Sequence, residues 1–461
     1  MTPTHVQETP GASGTLGLIT PRRWKRVMPR RRRRSRTAAS PWLIPALYAS
    51  VAMAGGMLTS RVEHAFLPAL PNTISVSAAM AIYSSIASGM IALTGIVFSL
   101  TIVMVQFSAT AYSPRLVLWV ARDPVVSHAL GVFTATFLYA LVALAWVDRG
   151  GTARVPLVST VVVVLLLMAS VGVFVALIQR IALLQINRML KFTGDQGRRV
   201  IDRTYPPLAS VSAPAALPAV DARAPSQVLV HRGRPRAIQA IDTMALVKLA
   251  RKADAVVEVA AIVGDTALES TELLRVVGGR RPISERRLLD SVHLGDERTF
   301  EQDPKYAIRL LVDIAIRALS PAVNDPTTAV QALDEIGDLL YRLGGRRLEI
   351  AVFHDDEGNP RLVMPSPKWE DFLQLAFDEI RAYGADSVQV MRRMRALISD
   401  LLSAVPEERR PALLYWQRRL GTTVAKHFVD PDEQQDASAE DRQGLGAPRR
   451  RSEGLGLKAE G

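Results

Sequence analysis

The stretch VPLVSTVVVVLLLMASVGVFVALIQ, Val155 to Gln179, runs 25 residues without an Asp, Glu, Lys or Arg, between Arg154 and Arg180. Crossing a hydrocarbon core of about 30 Å takes about 20 mostly apolar residues in a helix, because no backbone polar group can stay unpaired there. This stretch therefore reads as a membrane span. Three more lie upstream. Pro41 to Ser60 sits between Arg36 and Arg61, Val125 to Val147 sits between Asp123 and Asp148, and His64 to Pro114 contains no Asp, Glu, Lys or Arg. The last run exceeds one crossing. Pro68, Pro71 and Asn72 read as a loop, which starts its helix near Ile82 and carries the far end past the membrane surface toward Tyr112. Four spans in succession make an α-helical polytopic membrane protein.

Lys and Arg in short flanking loops set the orientation. Residues 1–40 hold ten basic groups against Glu8 alone, Arg115 and Arg122 flank the third span, and residues 180–203 add six more. The opposite loops hold Arg61, Arg149 and Arg154. Both termini are therefore expected on the cytoplasmic side. The leader also supplies +9 of the net charge of +12. Its run RRRRSR, Arg31 to Arg36, stands a few residues before a span, so it is assigned to topology and to anionic lipid headgroups rather than to nucleic acid.

The chain has no cysteine, which removes disulfides, thiolate metal sites and cysteine nucleophiles together. Its seven histidines are scattered, with no pair at metal-binding spacing. No metal and no cofactor is expected. No Asp, Glu, Lys or Arg lies inside the four spans, which argues against a proton relay or an ion-coupled carrier. The second span carries Ser85, Ser88, Ala92, Gly95, Ser99 and Gln106 along one helical face. Such a stripe either lets helices approach closely or lines a wet path, and helix packing is the favoured reading.

The segment FSLTIVMVQFSATAYSPR at Phe98 to Arg115, RDP at Arg122 to Pro124, LGVFTATFLYALVAL at Leu130 to Leu144 and RTFEQDPKYAIRLLVDIAIRALSPAVNDPTTA at Arg298 to Ala329 together resemble the membrane-protein family called domain of unknown function 2254. The resemblance covers most of residues 41–428. It implies a bacterial integral protein of the plasma membrane with a cytoplasmic C-terminal domain, and it implies no activity. The leader and the tail fall outside the pattern.

The organisation expected is a basic, disordered cytoplasmic leader over 1–40, a four-helix transmembrane domain over 41–180, a juxtamembrane helix with a Pro/Ala linker over 181–225, a cytoplasmic α+β domain over 226–428, and a disordered tail over 429–461. Ile181, Leu184, Ile186 and Met189 alternate with basic residues, as suits a helix lying along a membrane surface. Runs such as QVLVH, AVVEVAAIV and ELLRVV predict a small sheet or partial barrel, with a helix from Ile238 to Ala253. Asp303-Pro304 and Asp325-Pro326 each read as a helix cap and first turn, which makes a helical hairpin joined through Ser320 to Asp325. Strands at Leu348 to Phe353 and Arg361 to Met364 form a hairpin turned by DDEGNP, and helices follow near Lys368 to Tyr383, Asp386 to Ala404 and Glu407 to Lys426.

Asp313, Arg317, Ser320, Asn324 and Asp325 gather hydrogen-bonding groups at the hairpin connector. Capping of the second helix accounts for them better than a ligand pocket does. Neither a G-x-S-x-G elbow nor a phosphate-binding loop occurs in the sequence. The leading functional expectation is a non-enzymatic, homo-oligomeric membrane scaffold or sensor. A passive channel lined by Ser88, Gly95, Ser99 and Gln106 is the alternative, and membrane-associated catalysis at Asp313, Asn324 and Asp325 is the weakest.

Overall fold

A computed structural model describes residues 43–66, 75–111, 124–149, 155, 157–182, 186–208, 224–348 and 352–446. The basic leader with Arg31 to Arg36, the Pro68 to Asn72 loop, most of the Pro/Ala linker and the last residues of the tail lie outside them. The chain divides into two compact units, 31–189 and one that runs from 190 to the C-terminal end.

The first unit contains α1 (Leu43–Phe66), α2 (Val76–Ala111), α3 (Pro124–Arg149) and α4 (Leu157–Ala182). Three of them, α2, α3 and α4, are long and apolar enough to cross a membrane; the apolar part of α1 is shorter, Leu43–Thr59. Helix α3 is the hub, packed against α1, α2 and α4. Its sequence allows this at Gly131, where an added Cβ would lie 2.8 Å from the Tyr48 ring of α1. Polar pairs tie the helices where lipid offers no alternative partner. Thr59 Oγ1 meets Tyr139 Oη at 2.7 Å, Tyr83 Oη meets Thr160 Oγ1 at 2.6 Å, and Thr136 Oγ1 meets Ser170 Oγ at 2.9 Å. Apolar side chains such as Leu47, Ile91, Ile96, Leu165 and Val175 stay exposed on the outer faces, as lipid contact requires.

Helix α2 begins at Val76 rather than near Ile82. The Ser75 hydroxyl accepts from Ala78 N at 3.3 Å, so a local cap starts the helix a turn and a half earlier than the loop signal suggested.

Helix α5 (Ile186–Thr204) carries the chain across the boundary into the second unit. Two sheets follow. One is five-stranded in the order β1-β5-β3-β8-β7, from β1 (Gln227–Val230), β3 (Ala255–Val259), β5 (Glu272–Gly278), β7 (Val352–His354) and β8 (Pro360–Val363). Within it β3 and β8 run parallel and the other neighbours antiparallel. The second has β2 (Arg236–Ile241) between β4 (Thr266–Ala267) and β6 (Val292–Gly295). With α6 (Thr243–Ala253) and the short α7 (Glu285–Leu289) they enclose Ile238, Leu246, Val257, Leu274 and Leu362.

Residues 238–241 are therefore strand, not the start of a helix. Their backbone pairs with β6, and Asp242 caps α6 by accepting from Ala245 N at 2.9 Å. Ile238 and Ile241, three apart, fit a helical face; in the strand a bulge between Ile238 and Ala240 turns both into the core.

A helical layer completes the unit: α8 (Pro304–Ala318), α9 (Pro326–Gly344), α10 (Trp369–Tyr383), α11 (Val388–Ala404), α12 (Arg410–His427) and α13 (Pro431–Ser438). Both cap pairs form as the sequence indicates. Asp303 accepts from Tyr306 N at 3.1 Å and Asp325 from Thr328 N at 3.1 Å. The C-terminal end of α9 is closed by Arg409, whose guanidinium donates to the carbonyls of Leu343, Gly344 and Arg346 while lying over the Trp369 ring.

Part of the tail expected to be disordered is folded. Helix α13 and the turn after it reach Gly446, because buried Asp441 accepts from the amides of Gln443, Gly444 and Gly446, and Arg392 donates to the carbonyls of Asp436 and Gly446. The segment lacks apolar periodicity because charged and backbone groups hold it.

Candidate functional site

Helix α5 fastens itself to the second unit along a polar and a close-packed contact. Arg198 donates to Glu335 Oε2 at 2.8 Å and to Asp338 Oδ2 at 2.9 Å, both on α9. At the adjacent position a Cβ at Gly197 would lie 2.8 Å from Leu339 Cδ1 and 3.0 Å from Ala307 Cβ. The buried face of α5, including Leu190, Val200 and Ile201, thus meets protein. From Leu190 onward its apolar face serves this docking; Ile181, Ile186 and Met189, read from sequence with Leu184 as a membrane-surface pattern, precede that stretch, and Leu184 lies outside the described residues.

Beyond α5 the chain is sewn to the end of α9. Arg347 N donates to Pro206 O at 2.9 Å, Leu208 N to Gly345 O at 3.0 Å, and the Arg346 guanidinium to Tyr205 O at 3.0 Å. These bonds place the Tyr205 side chain edge-on to Phe372 of α10, ring centroids 6.4 Å apart. Tyr205 there forms one wall of a cavity of about 120 Å³. The other walls are the loop at Ile262 and Val263, the approach to α8 at Gln302 to Lys305, and Leu348, Phe353, Met364 and Ser366.

Asp303 is the one carboxylate buried against this cavity, 4% exposed. Its Oδ2 accepts from Arg298 Nε at 2.9 Å, while Oδ1 caps α8. Gly264, at φ +94°, lets the backbone pass over this pair; a Cβ there would lie 2.6 Å from Asp303 Oδ2. Burial raises the Asp303 carboxyl above its ordinary range, against the opposing pull of Arg298. Burial, and then the Asp303 charge, likewise hold the proton on Tyr205, so its phenol is a donor at neutral pH. The Ser366 hydroxyl is shielded from solvent and has no hydrogen-bond partner.

The residues singled out from sequence lie elsewhere. Asp313 pairs with Arg309, which also grips Glu379 of α10. Ser320 Oγ donates to Arg317 O at 2.7 Å, Asn324 takes the left-handed turn position at φ +47°, and Asp325 caps α9. The connector thus spends its polar groups on the turn. Ser85, Ser88, Gly95, Ser99 and Gln106 of α2 are all exposed within this chain, whereas Ala79, Tyr83, Ala87, Met90 and Val97 form its buried face. Nothing lies within 4 Å of a Cβ built at Gly89 or Gly95. From Ser85 to Ser99 the stripe is therefore an exposed face among the described residues.

Residues 38–400 match a family model described as "Predicted membrane protein (DUF2254)". The chain belongs to the DUF2254 family. Its membrane character, the ALSPAVNDP connector and the α8–α9 hairpin all fall within the matched span. Among similar proteins are "Uncharacterized protein Rv1290c" of Mycobacterium tuberculosis and "Uncharacterized protein Mb1321c" of Mycobacterium bovis. Each is 26% identical over 403 residues, covering 84% of this chain and 77% of the relative. No solved structure matches significantly. The Tyr205–Asp303–Ser366 cavity lies inside the family span, yet no local motif marks it, since its walls come from several segments far apart in sequence.

Proposed function

We propose that this DUF2254 protein is a non-catalytic, homo-oligomeric sensor of the bacterial plasma membrane, with four spans and its soluble unit in the cytoplasm. The observation that carries the reading is the cavity wall at Tyr205. The chain leaves the last apolar helix, enters α5, is locked to α9 through Arg198, and ends as one side of a ligand-sized cavity. A molecule bound there would bear directly on the segment that leads to the membrane. The α1 helix completes an even number of crossings; its 24 residues span about 36 Å at 1.5 Å per residue, although the apolar stretch is shorter. Basic residues on both flanks of the helical unit support cytoplasmic termini. The exposed stripe of α2 supplies a face for a second copy, as close helix approach in membranes favours small residues.

The same stripe is the specific reason to keep a passive channel as the second reading. Ion flux through purified protein in liposomes, with oligomer mass recorded on the same samples, separates the two. A sensor gives a stable oligomer with no flux, and Gln106→Leu weakens assembly. Flux that Gln106→Leu changes at constant mass would replace the sensor with a pore whose wall is α2.

A further inference from the structure

We infer that the cavity bounded by Tyr205, Asp303 and Ser366 is a binding site for a small, uncharged organic molecule that carries a hydroxyl group. Its role in signalling rests on the proposed function; the binding itself does not.

Size comes first. A cavity of about 120 Å³ is slightly smaller than the roughly 150 Å³ that accommodates benzene, which sets a limit of about five or six non-hydrogen atoms. Much of the wall is carbon, from Ile262, Val263, Leu348, Phe353 and Met364. Water can answer the polar wall but leaves the carbon side of the space unfilled. Yet the Ser366 hydroxyl is buried and unpartnered, and a hydroxyl in that state is costly unless an occupant satisfies it.

Charge comes next. Asp303 is already neutralised by Arg298, so the site places no demand for a cation. Of the other charged lining residues, Arg203 and Glu301 carry opposite signs and Lys305 is paired with Asp371, so the lining does not select an anion either. Tyr205 contributes a protonated phenol, Asp303 an acceptor and Ser366 a group that can do either. A hydroxyl, which donates and accepts at once, matches this set, while the rest of the molecule fills the apolar side.

The test uses the absence of native cysteine. Val263→Cys places one thiol in the cavity wall of the full chain, reconstituted in nanodiscs. Its rate of reaction with a small thiosulfonate is measured against 1-pentanol, pentylamine and pentanoate. Val429→Cys, at a position 90% exposed, reports any effect of the additives on the reagent or the bilayer. Pentanol is expected to slow reaction in the cavity saturably and to leave the Val429→Cys rate unchanged. Pentylamine and pentanoate should need at least ten-fold higher concentrations. Adding Ser366→Ala should raise the half-protecting pentanol concentration about five-fold, the worth of one hydrogen bond. Ile262→Cys repeats the measurement should the first variant not fold. Absence of protection in a folded variant overturns the proposal, as does equal protection by the charged analogues or indifference to Ser366→Ala. A protein that is protected by pentanol yet conducts ions would keep this site and lose the sensor reading.

Discussion

Asp355→Ala is expected to destabilise the second unit by about 3–5 kcal/mol, the usual cost of removing one partner from a buried ion pair. The Asp355 side chain is 1% exposed and its partner Arg361 is 11% exposed, at 2.7 Å. Oδ1 also accepts from the amides of Glu357 and Asn359, which fixes the turn between β7 and β8. Removing the carboxylate leaves Arg361 with the exposed Asp254 as its acidic partner and leaves two turn amides unsatisfied. Asp355→Asn retains an acceptor for the turn and should cost less. Urea unfolding of the three proteins gives the comparison.

The same carboxyl has a pH signature. Burial alone would raise it, but the Arg361 guanidinium and the two amides outweigh burial and take it to about 2. A depressed folded value contributes stability that is present above the unfolded carboxylate range, about 4, and is lost as the pH falls through about 2. The stability difference between the native chain and Asp355→Asn should therefore shrink below pH 4. Asp303 works with the opposite sign: its raised carboxyl contributes stability at low pH that is lost as the pH rises through the folded value.

Gly197→Leu is the second large expected effect, about 3 kcal/mol and loss of the α5 contact. The added side chain must enter a gap where even a Cβ would stand 2.8 Å from Leu339 and 3.0 Å from Ala307, and overpacking of this kind costs roughly 1–3 kcal/mol or more. Displacing α5 also draws Arg198 from Glu335 and Asp338. Limited proteolysis should then cut near residues 186–204 while the rest of the second unit stays resistant. An uncleaved α5 with an unchanged melting temperature would mean that docking does not depend on this gap.

What the sequence revealed depended on how local the signal was. Charge-free runs marked the long apolar helices, and Asp303-Pro304 and Asp325-Pro326 marked the starts of α8 and α9, since a cap is written within four residues. Strand β2 was misread because Ile238 and Ile241 satisfy a helical spacing, while their pairing with β6 depends on residues fifty positions away. The folded tail was missed because Asp441 and Arg392 hold it through backbone groups that leave no apolar trace. Arg309 and Asp313 pair as their spacing of four allows, whereas the hold of Arg309 on Glu379 of α10 shows only in the tertiary structure. The cavity is the extreme case. Tyr205, Asp303 and Ser366 meet only when α5, the sheets and α8 have come together.

A cytoplasmic sensor needs its soluble unit on the same side as the basic leader, and labelling of single cysteines in intact cells tests this directly. Ser35→Cys and Val429→Cys should both resist an impermeant maleimide until the cells are permeabilised, while Thr152→Cys, between the third and fourth apolar stretches, should react from outside. Labelling of Ser35→Cys from outside with Val429→Cys still protected would mean three crossings, with α1 not spanning. Labelling of Val429→Cys from outside would put the cavity outside the cell and end the sensor reading as proposed.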